Sequence, residues 1–436
     1  MGTVHVVGAG VAGLAAAVHL APGPDRVVLH EAAQQAGGRC RSYHDRQLGC
    51  RIDNGNHLVL SGNRAACRYL ETIGAADSLS GPEAALYPFV DLGTGERWTL
   101  RWERGRIPWW LLRPARRVPG TRLGSYLAAG RLSRAPPDAT IGDVLDPADP
   151  LFVRLIDPLA RAVLNTPPAA ASAALLGVVL RETFGRGASA CRPLVARGGL
   201  SESCVDPALA WLRRQGVEVR FGARLNRIDA ADGRARRLAF GVGPVDLAPG
   251  DAVILALPAG QAADLLPGLV TPTRHHAIVN GHFRAGREVR LPGGAVLLGI
   301  VGGTAEWIFA RGRTVSVTVS AADALADRPA DEIAPRLWAD VARALDLAVA
   351  PLPPARIVKE RRATFAQTPD QVARRPGPTT RLRNLVLAGD WTDTGLPATI
   401  EGAIRSGERA AALALTILQP QVAELVVEQP GVQWRV

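Results

Sequence analysis

The run Val4-His5-Val6-Val7-Gly8-Ala9-Gly10-Val11-Ala12-Gly13 leaves a chain few ways to begin folding. Thr3 to Val7 is a short β-rich apolar run of the kind buried in a parallel sheet. Gly8-x-Gly10-x-x-Gly13 follows at once, and Leu14 to Leu20 reads as a helix. In that setting Gly8 permits a tight turn, Gly10 lets backbone approach a pyrophosphate, and Gly13 lets helix and strand pack closely. The helix N-terminus, where Ala12 sits, supplies free N–H groups and partial positive charge to phosphates. A second strand, Arg26 to Leu29, leads to Glu31, whose carboxylate is placed to accept both hydroxyls of an adenosine ribose. A bare glycine triplet is a weak signal. Strand, turn, helix, strand and acid in that order make a strong one.

Two further segments indicate which dinucleotide. Gly37-Gly38-Arg39 is similar to the second glycine pair and arginine that many flavoproteins carry after the ribose acid, and it separates FAD from NAD. Without the upstream fingerprint it would read as a surface turn with a solvated arginine. Near the other end, Leu385 to Ala388 predicts a strand that Gly389-Asp390 terminates, with Asp390 placed to hydrogen-bond a ribityl chain or pyrophosphate. Pro397 suits the start of a helix near Ala398 or Thr399. That helix carries Thr399, Ile400 and Ala403 at its positive end, which favours an anionic reduced flavin at the pyrimidine edge. Gly402, Ser406 and Ala410 give it a small-residue face for close packing. A generic amphipathic helix explains neither Gly389-Asp390 nor Thr399-Ile400-Glu401-Gly402. One FAD held by both ends of the chain is therefore the expectation.

Bulk properties narrow the rest. At 436 residues two connected domains are expected. The net charge of +11 invites a nucleic-acid reading. Yet Lys359 is the only lysine, and the arginines are scattered without a basic stripe interleaved with aromatics, so nucleic acid is not an expected partner. The five cysteines, Cys40, Cys50, Cys67, Cys191 and Cys204, have neither C-x-x-C nor zinc spacing, and no metal is expected. Met1 leads straight into the first strand, so a cytoplasmic chain without a secretory leader is expected. Ala169 to Leu180, among the longest apolar stretches, falls short of the roughly 20 residues that span a bilayer.

Together these residues resemble the amine oxidase and phytoene desaturase superfamily of FAD enzymes, and within it the hydroxysqualene dehydroxylases, also described as squalene-associated FAD-dependent desaturases. Asp53-Asn54-Gly55-Asn56-His57-Leu58, Trp307-x-Phe309 and the run from Asp390 to Ala403 carry the narrower match. The resemblance covers the chain up to Gln419. Asn56, where that family more usually has glutamine, and Ser61-Gly62-Asn63 depart from the pattern. The resemblance implies an α/β fold: a Rossmann-like FAD-binding domain (1–80, 196–255, 376–419), an interleaved α+β substrate-binding domain (81–195, 256–375), and a tail at 420–436. It implies that Gly55 and Asn56 approach the isoalloxazine ring. Val217 to Leu225 alternates like a strand pair, by pattern an ordinary hairpin; in two-domain flavoproteins the equivalent stretch packs against adenine, which places Leu225 there. The implied reaction removes an allylic hydroxyl from a C30 polyisoprenoid lipid to give squalene, feeding hopanoid synthesis, with an electron donor that the sequence does not name.

A leaving hydroxyl needs a proton, and His57 and Asp393 are the candidates, with Glu401 read as structural. Arg106-Ile107-Pro108-Trp109-Trp110-Leu111-Leu112-Arg113 suits either a membrane interface or a buried turn of the substrate lobe. A greasy substrate favours the first, a peripheral contact on the inner face of the plasma membrane. Three alternatives remain open. A carotenoid-type desaturase runs hydride the other way with the same geometry; an amine oxidase and a non-catalytic flavin or lipid carrier use the same fold.

Overall fold

The computed structural model describes residues 2–103, 105 and 107–418; Arg106 and the tail at 420–436 lie outside them. The N-terminal fingerprint forms the centre of a five-stranded parallel sheet, in the order Glu218–Arg220, Arg26–His30, Thr3–Val7, Ala252–Leu255, Leu385–Leu387. Its central strands are buried on both faces, and mostly apolar apart from His5 and His30, because helices and further chain cover both. Val11–Leu20 begins at the glycine turn and is buried on nearly every side, only His19 being exposed. The C-terminal helix, Ile400–Leu418, lies against it so closely that a Cβ on Gly407 would stand 2.2 Å from the carbonyl oxygen of Ala12. Residues more than 380 positions apart thus share one core.

Val217 to Leu225 is not a hairpin. Glu218–Arg220 pairs in parallel with Arg26–His30, whereas Leu225 opens a separate antiparallel meander, Leu225–Ala231, Arg234–Phe240 and Gly243–Asp246. Gly222, at φ +70°, turns the chain from one sheet to the other. Alternation alone shows that both pieces are extended; it does not say which partner each takes.

A second, seven-stranded sheet runs in the order Ala355–Phe365, His275–Arg284, Thr314–Val319, Trp307–Arg311, Leu297–Val301, Leu86–Asp91, Arg97–Arg101. Period-two alternation divides its residues between two environments. Val279, Phe283, Val315, Val317 and Ile308 pack with Leu337, Trp338 and Val341 of the helix Ala330–Leu345 in one apolar core. Asn280, Thr318, Trp307, Phe309, Leu297 and Phe89 face the other way, into a cavity. Helices between Leu123 and Glu182 pack against the Tyr87–Trp102 end of this face. No helix among the described residues is long and apolar enough to cross a membrane.

Candidate active site

One cavity of about 1680 Å³ takes its walls from both sheets and from the cap of helices. Pockets for a single drug-sized molecule run to about 300–1,000 Å³, so this one has room for a cofactor and a second ligand together.

Its first end is the glycine turn. Gly8, at φ +106°, donates its N–H to the carbonyl of His30 at 2.7 Å, and a Cβ there would strike Ala256 O at 2.3 Å. Gly10 lines the cavity, and a Cβ added to it would meet no atom of the described residues within 4 Å. Gly13, counted from the fingerprint as a cofactor-binding residue too, is a correction in that respect: it does not line the cavity, and its Cβ would fall 1.9 Å from Gly8 O, so its part is close packing. The helix start, with Gly10 as its N-cap, has no side-chain cap, so the N–H groups near Ala12 stay open to a ligand. Glu31 is anchored by the N–H of Ala9 on one oxygen and that of Ala33 on the other, both at 2.8 Å. Each oxygen keeps a lone pair for a hydroxyl. His30 beside it is pushed down to about 3, first by burial and then by His5, and so stays neutral. Gly38 and Leu225 line the same end.

The C-terminal segment closes the opposite side. Gly389 donates its N–H to Ser406 Oγ at 2.8 Å, and the Trp391 indole donates to Leu257 O at 2.9 Å. Arg39 reaches across to Asp390, Nη2 to Oδ1 at 2.7 Å, and also donates to Ala363 O. Beneath the loop a buried guanidinium, Arg375, donates to the carbonyls of Asp390 and Thr392 at 3.3 and 2.5 Å, and it sits 5.5 Å over the Phe365 ring. The Thr399 hydroxyl accepts from Gly402 N at 3.1 Å, capping the helix whose Ile400 and Ala403 line the cavity. Glu401 is a structural group: its carboxylate accepts from Ala65 N and Ala66 N at 3.1 and 2.9 Å, at the start of the helix Arg64–Thr72, and from Arg405 Nε at 2.8 Å. An open glycine turn, an anchored carboxylate with spare lone pairs and two helix starts directed at one elongated cavity suit the ribose, pyrophosphate and flavin of FAD.

The two proposed proton donors part ways. His57 lines the cavity beside Gly55 and Asn56. Its Nδ1 donates to Gly55 O at 3.0 Å, which among the described residues leaves Nε2 as the ring nitrogen without a partner, and burial holds its pKa below the ordinary value. Asp393 is a correction. It does not line the cavity but lies exposed on a surface turn, where its carboxylate accepts from Gly395 N at 3.1 Å. That short-range contact and the N–H of Asp393 donated to Pro376 O at 2.8 Å aim the side chain away from the site.

Sequence reasoning missed the sheet-borne polar groups. Asn280 and Thr318 stand opposite each other on neighbouring strands and share a hydrogen bond of 2.9 Å. Glu360, which accepts from Asn54 Nδ2 at 3.2 Å, also lines the cavity. The available signal was weak: Asn280 follows the apolar run Ala277-Ile278-Val279 inside one strand, among other polar residues of the same strand such as His282. Trp109 and Trp110 divide the two readings of their segment between them. Trp110 is buried against Trp102 and Tyr126 and lines the cavity, while Trp109 is 61% exposed.

Over residues 11–415 the chain matches the family described as flavin containing amine oxidoreductase. The hydroxysqualene dehydroxylase of Rhodopseudomonas palustris is 52% identical over 414 residues, 95% of this chain and 98% of that protein. That of Sinorhizobium fredii is 49% identical over 413 residues, with the same two coverages. An oxidoreductase structure from Methanosarcina mazei covers 94% of this chain and 100% of its own, at TM-score 0.72 and 14% identity, a likeness of fold alone.

Proposed function

The chain belongs to the flavin-containing amine oxidoreductase family and is an FAD-dependent oxidoreductase, and from that premise we propose that it removes the hydroxyl of hydroxysqualene to yield squalene. The supporting observation is the second half of the cavity, walled by Tyr87, Phe89, Trp102, Trp110, Trp307 and Phe309 beyond the polar end. A long hydrocarbon gains by leaving water for such a wall. Bound FAD, in its reduced form, supplies the two electrons as hydride. Gly8, Gly10, Ala12, Glu31, Gly38, Arg39, Leu225, Gly389, Asp390, Thr399, Ile400 and Ala403 would hold it, with Gly55 and Asn56 beside the ring, and we assign 1–80, 196–255 and 376–419 to its domain.

The protein's own work is then to exclude water, align the lipid and deliver one proton, since an alcohol leaving as water consumes one. We assign that proton to Nε2 of His57. A lipid of this kind reaches the cavity from a bilayer. Ile107, Trp109, Leu112 and Leu127 are exposed, while Pro108, Trp110 and Tyr126 on the same two segments line the cavity. A peripheral contact there would join membrane and active site.

Anaerobic mixing of the dithionite-reduced protein with hydroxysqualene tests the reading. Flavin reoxidation with squalene formed is the expected result. No reaction, together with phytoene desaturation by the oxidised protein, would replace it with a desaturase.

A further inference from the structure

We propose that Asn56, Asn280 and Thr318 form the site that recognises the substrate's hydroxyl group; this rests on the dehydroxylase reading above. The three side chains converge from distant parts of the chain. Thr318 Oγ1 donates to Asn280 Oδ1 at 2.9 Å, and Asn56 Nδ2 donates to Thr318 Oγ1 at 3.0 Å and to Asn280 Oδ1 at 3.4 Å. Asn280 Nδ2 spends one hydrogen on Asn54 O at 3.5 Å. Among the described residues this leaves one acceptor, Asn56 Oδ1, and one amide hydrogen, on Asn280 Nδ2, without a partner.

Their place in the sheet says what the pair serves. Thr318 is paired with Asn280 on one side and with Trp307 on the other. The polar wall therefore ends, and the aromatic wall begins, one strand apart. On the cofactor side, Asn280 Nδ2 lies 3.4 Å from where a Cβ of Gly55 would stand. A molecule with a hydrocarbon body on Trp307 would thus bring one polar group to the trio, next to the segment placed beside the flavin.

An alcohol fits the two open valences because its oxygen accepts from Asn280 while its O–H donates to Asn56. A protonated amine has no lone pair for the Asn280 hydrogen. A hydrocarbon leaves both amide groups dry and unpartnered, which is costly in an enclosed site. The trio therefore favours the alcohol over the product that lacks it, and so helps release that product.

Binding to the oxidised holoenzyme, which cannot supply hydride, isolates this discrimination from turnover. Each lipid in detergent is titrated while the flavin absorption spectrum is followed. Wild type is expected to bind hydroxysqualene about 10- to 100-fold more tightly than squalene. Thr318→Val and Asn280→Leu should bring that ratio close to one with flavin content unchanged, and Thr318→Ser, which restores the hydroxyl, should recover it. Equal affinities in wild type, or a ratio that both variants preserve, overturn the proposal alone. Loss of flavin from both variants also overturns it and assigns the trio to the cofactor. If neither lipid binds to wild type, the dehydroxylase reading falls and takes the proposal with it.

Discussion

Arg39 and Asp390, 351 positions apart, form an ion pair of 2.7 Å that ties the second glycine turn to the loop before the last helix. The Asp390 carboxylate beside it is the first influence raising the pKa of the Arg39 guanidinium. The pair joins the two chain ends that share the cofactor cavity. Asp390→Asn keeps the shape and removes the charge. Because the arginine side chain is 45% exposed, water screens part of the loss, and about 1–2 kcal/mol of stability is expected to go. Denaturant unfolding of the flavin-free protein measures that, and flavin affinity should fall in the same variant.

Gly10 and Gly13 separate binding from folding. Gly10→Ala places a methyl in open cavity, so flavin affinity should drop at least about tenfold with the melting temperature of flavin-free protein held within about 2 °C. Gly13→Ala drives a methyl into Gly8 O, and overpacking of about 1–3 kcal/mol or more outweighs the gain of about 1 kcal/mol in helix propensity. Fluorescence titration with FAD and thermal unfolding of each variant distinguish the two outcomes.

The state of His57 sets a pH dependence. Burial lowers its pKa, so the imidazole is neutral at and above the ordinary value near 6.5 and gains a proton only below it. If Nε2 delivers the proton, turnover should climb as pH falls past 6.5 without levelling there, approaching about tenfold per unit on the slope. His57→Gln should flatten the profile. A stopped-flow pH–rate series that is already flat in wild type removes His57 from the role.

Trp109 and Trp110 are adjacent and should fail differently. Trp109→Ser with Leu112→Ser removes exposed apolar surface. If roughly 60 Å² of it touches lipid, about 1.5 kcal/mol and about tenfold in liposome affinity are lost. Folding should be untouched. Trp110→Ala opens a hole in a buried aromatic cluster and should cost about 3–5 kcal/mol. Cosedimentation with anionic liposomes and chemical denaturation read the two effects separately.

Glu401 replaces a local helix cap. Asn63 makes no side-chain cap for the helix Arg64–Thr72, and the carboxylate from the C-terminal helix does so instead. Glu401→Ala strands two N–H groups and leaves Arg405 with Glu182 alone, so a loss of about 2–4 kcal/mol in unfolding free energy is expected.

The cofactor end was legible in the sequence because its information is contiguous. Thr3–Val7, the glycine turn, Arg26–His30 and Glu31 follow one another within a single βαβ unit, and local sterics restrict how such a run can fold. The same holds for the strand Leu385–Leu387 and the helix after Pro397. Register and direction were decided elsewhere. Asn280 meets Thr318 only because two strands pair in one alignment, and a slip of one residue in either strand would turn its side chain away from the cavity and break the pair. Asp393 points outward because a three-residue turn takes its carboxylate, and Trp109 parts from Trp110 because the cap of helices buries one ring and leaves the other exposed. Local motif therefore determined what the chain holds, and long-range strand pairing and packing determined which side chains face it.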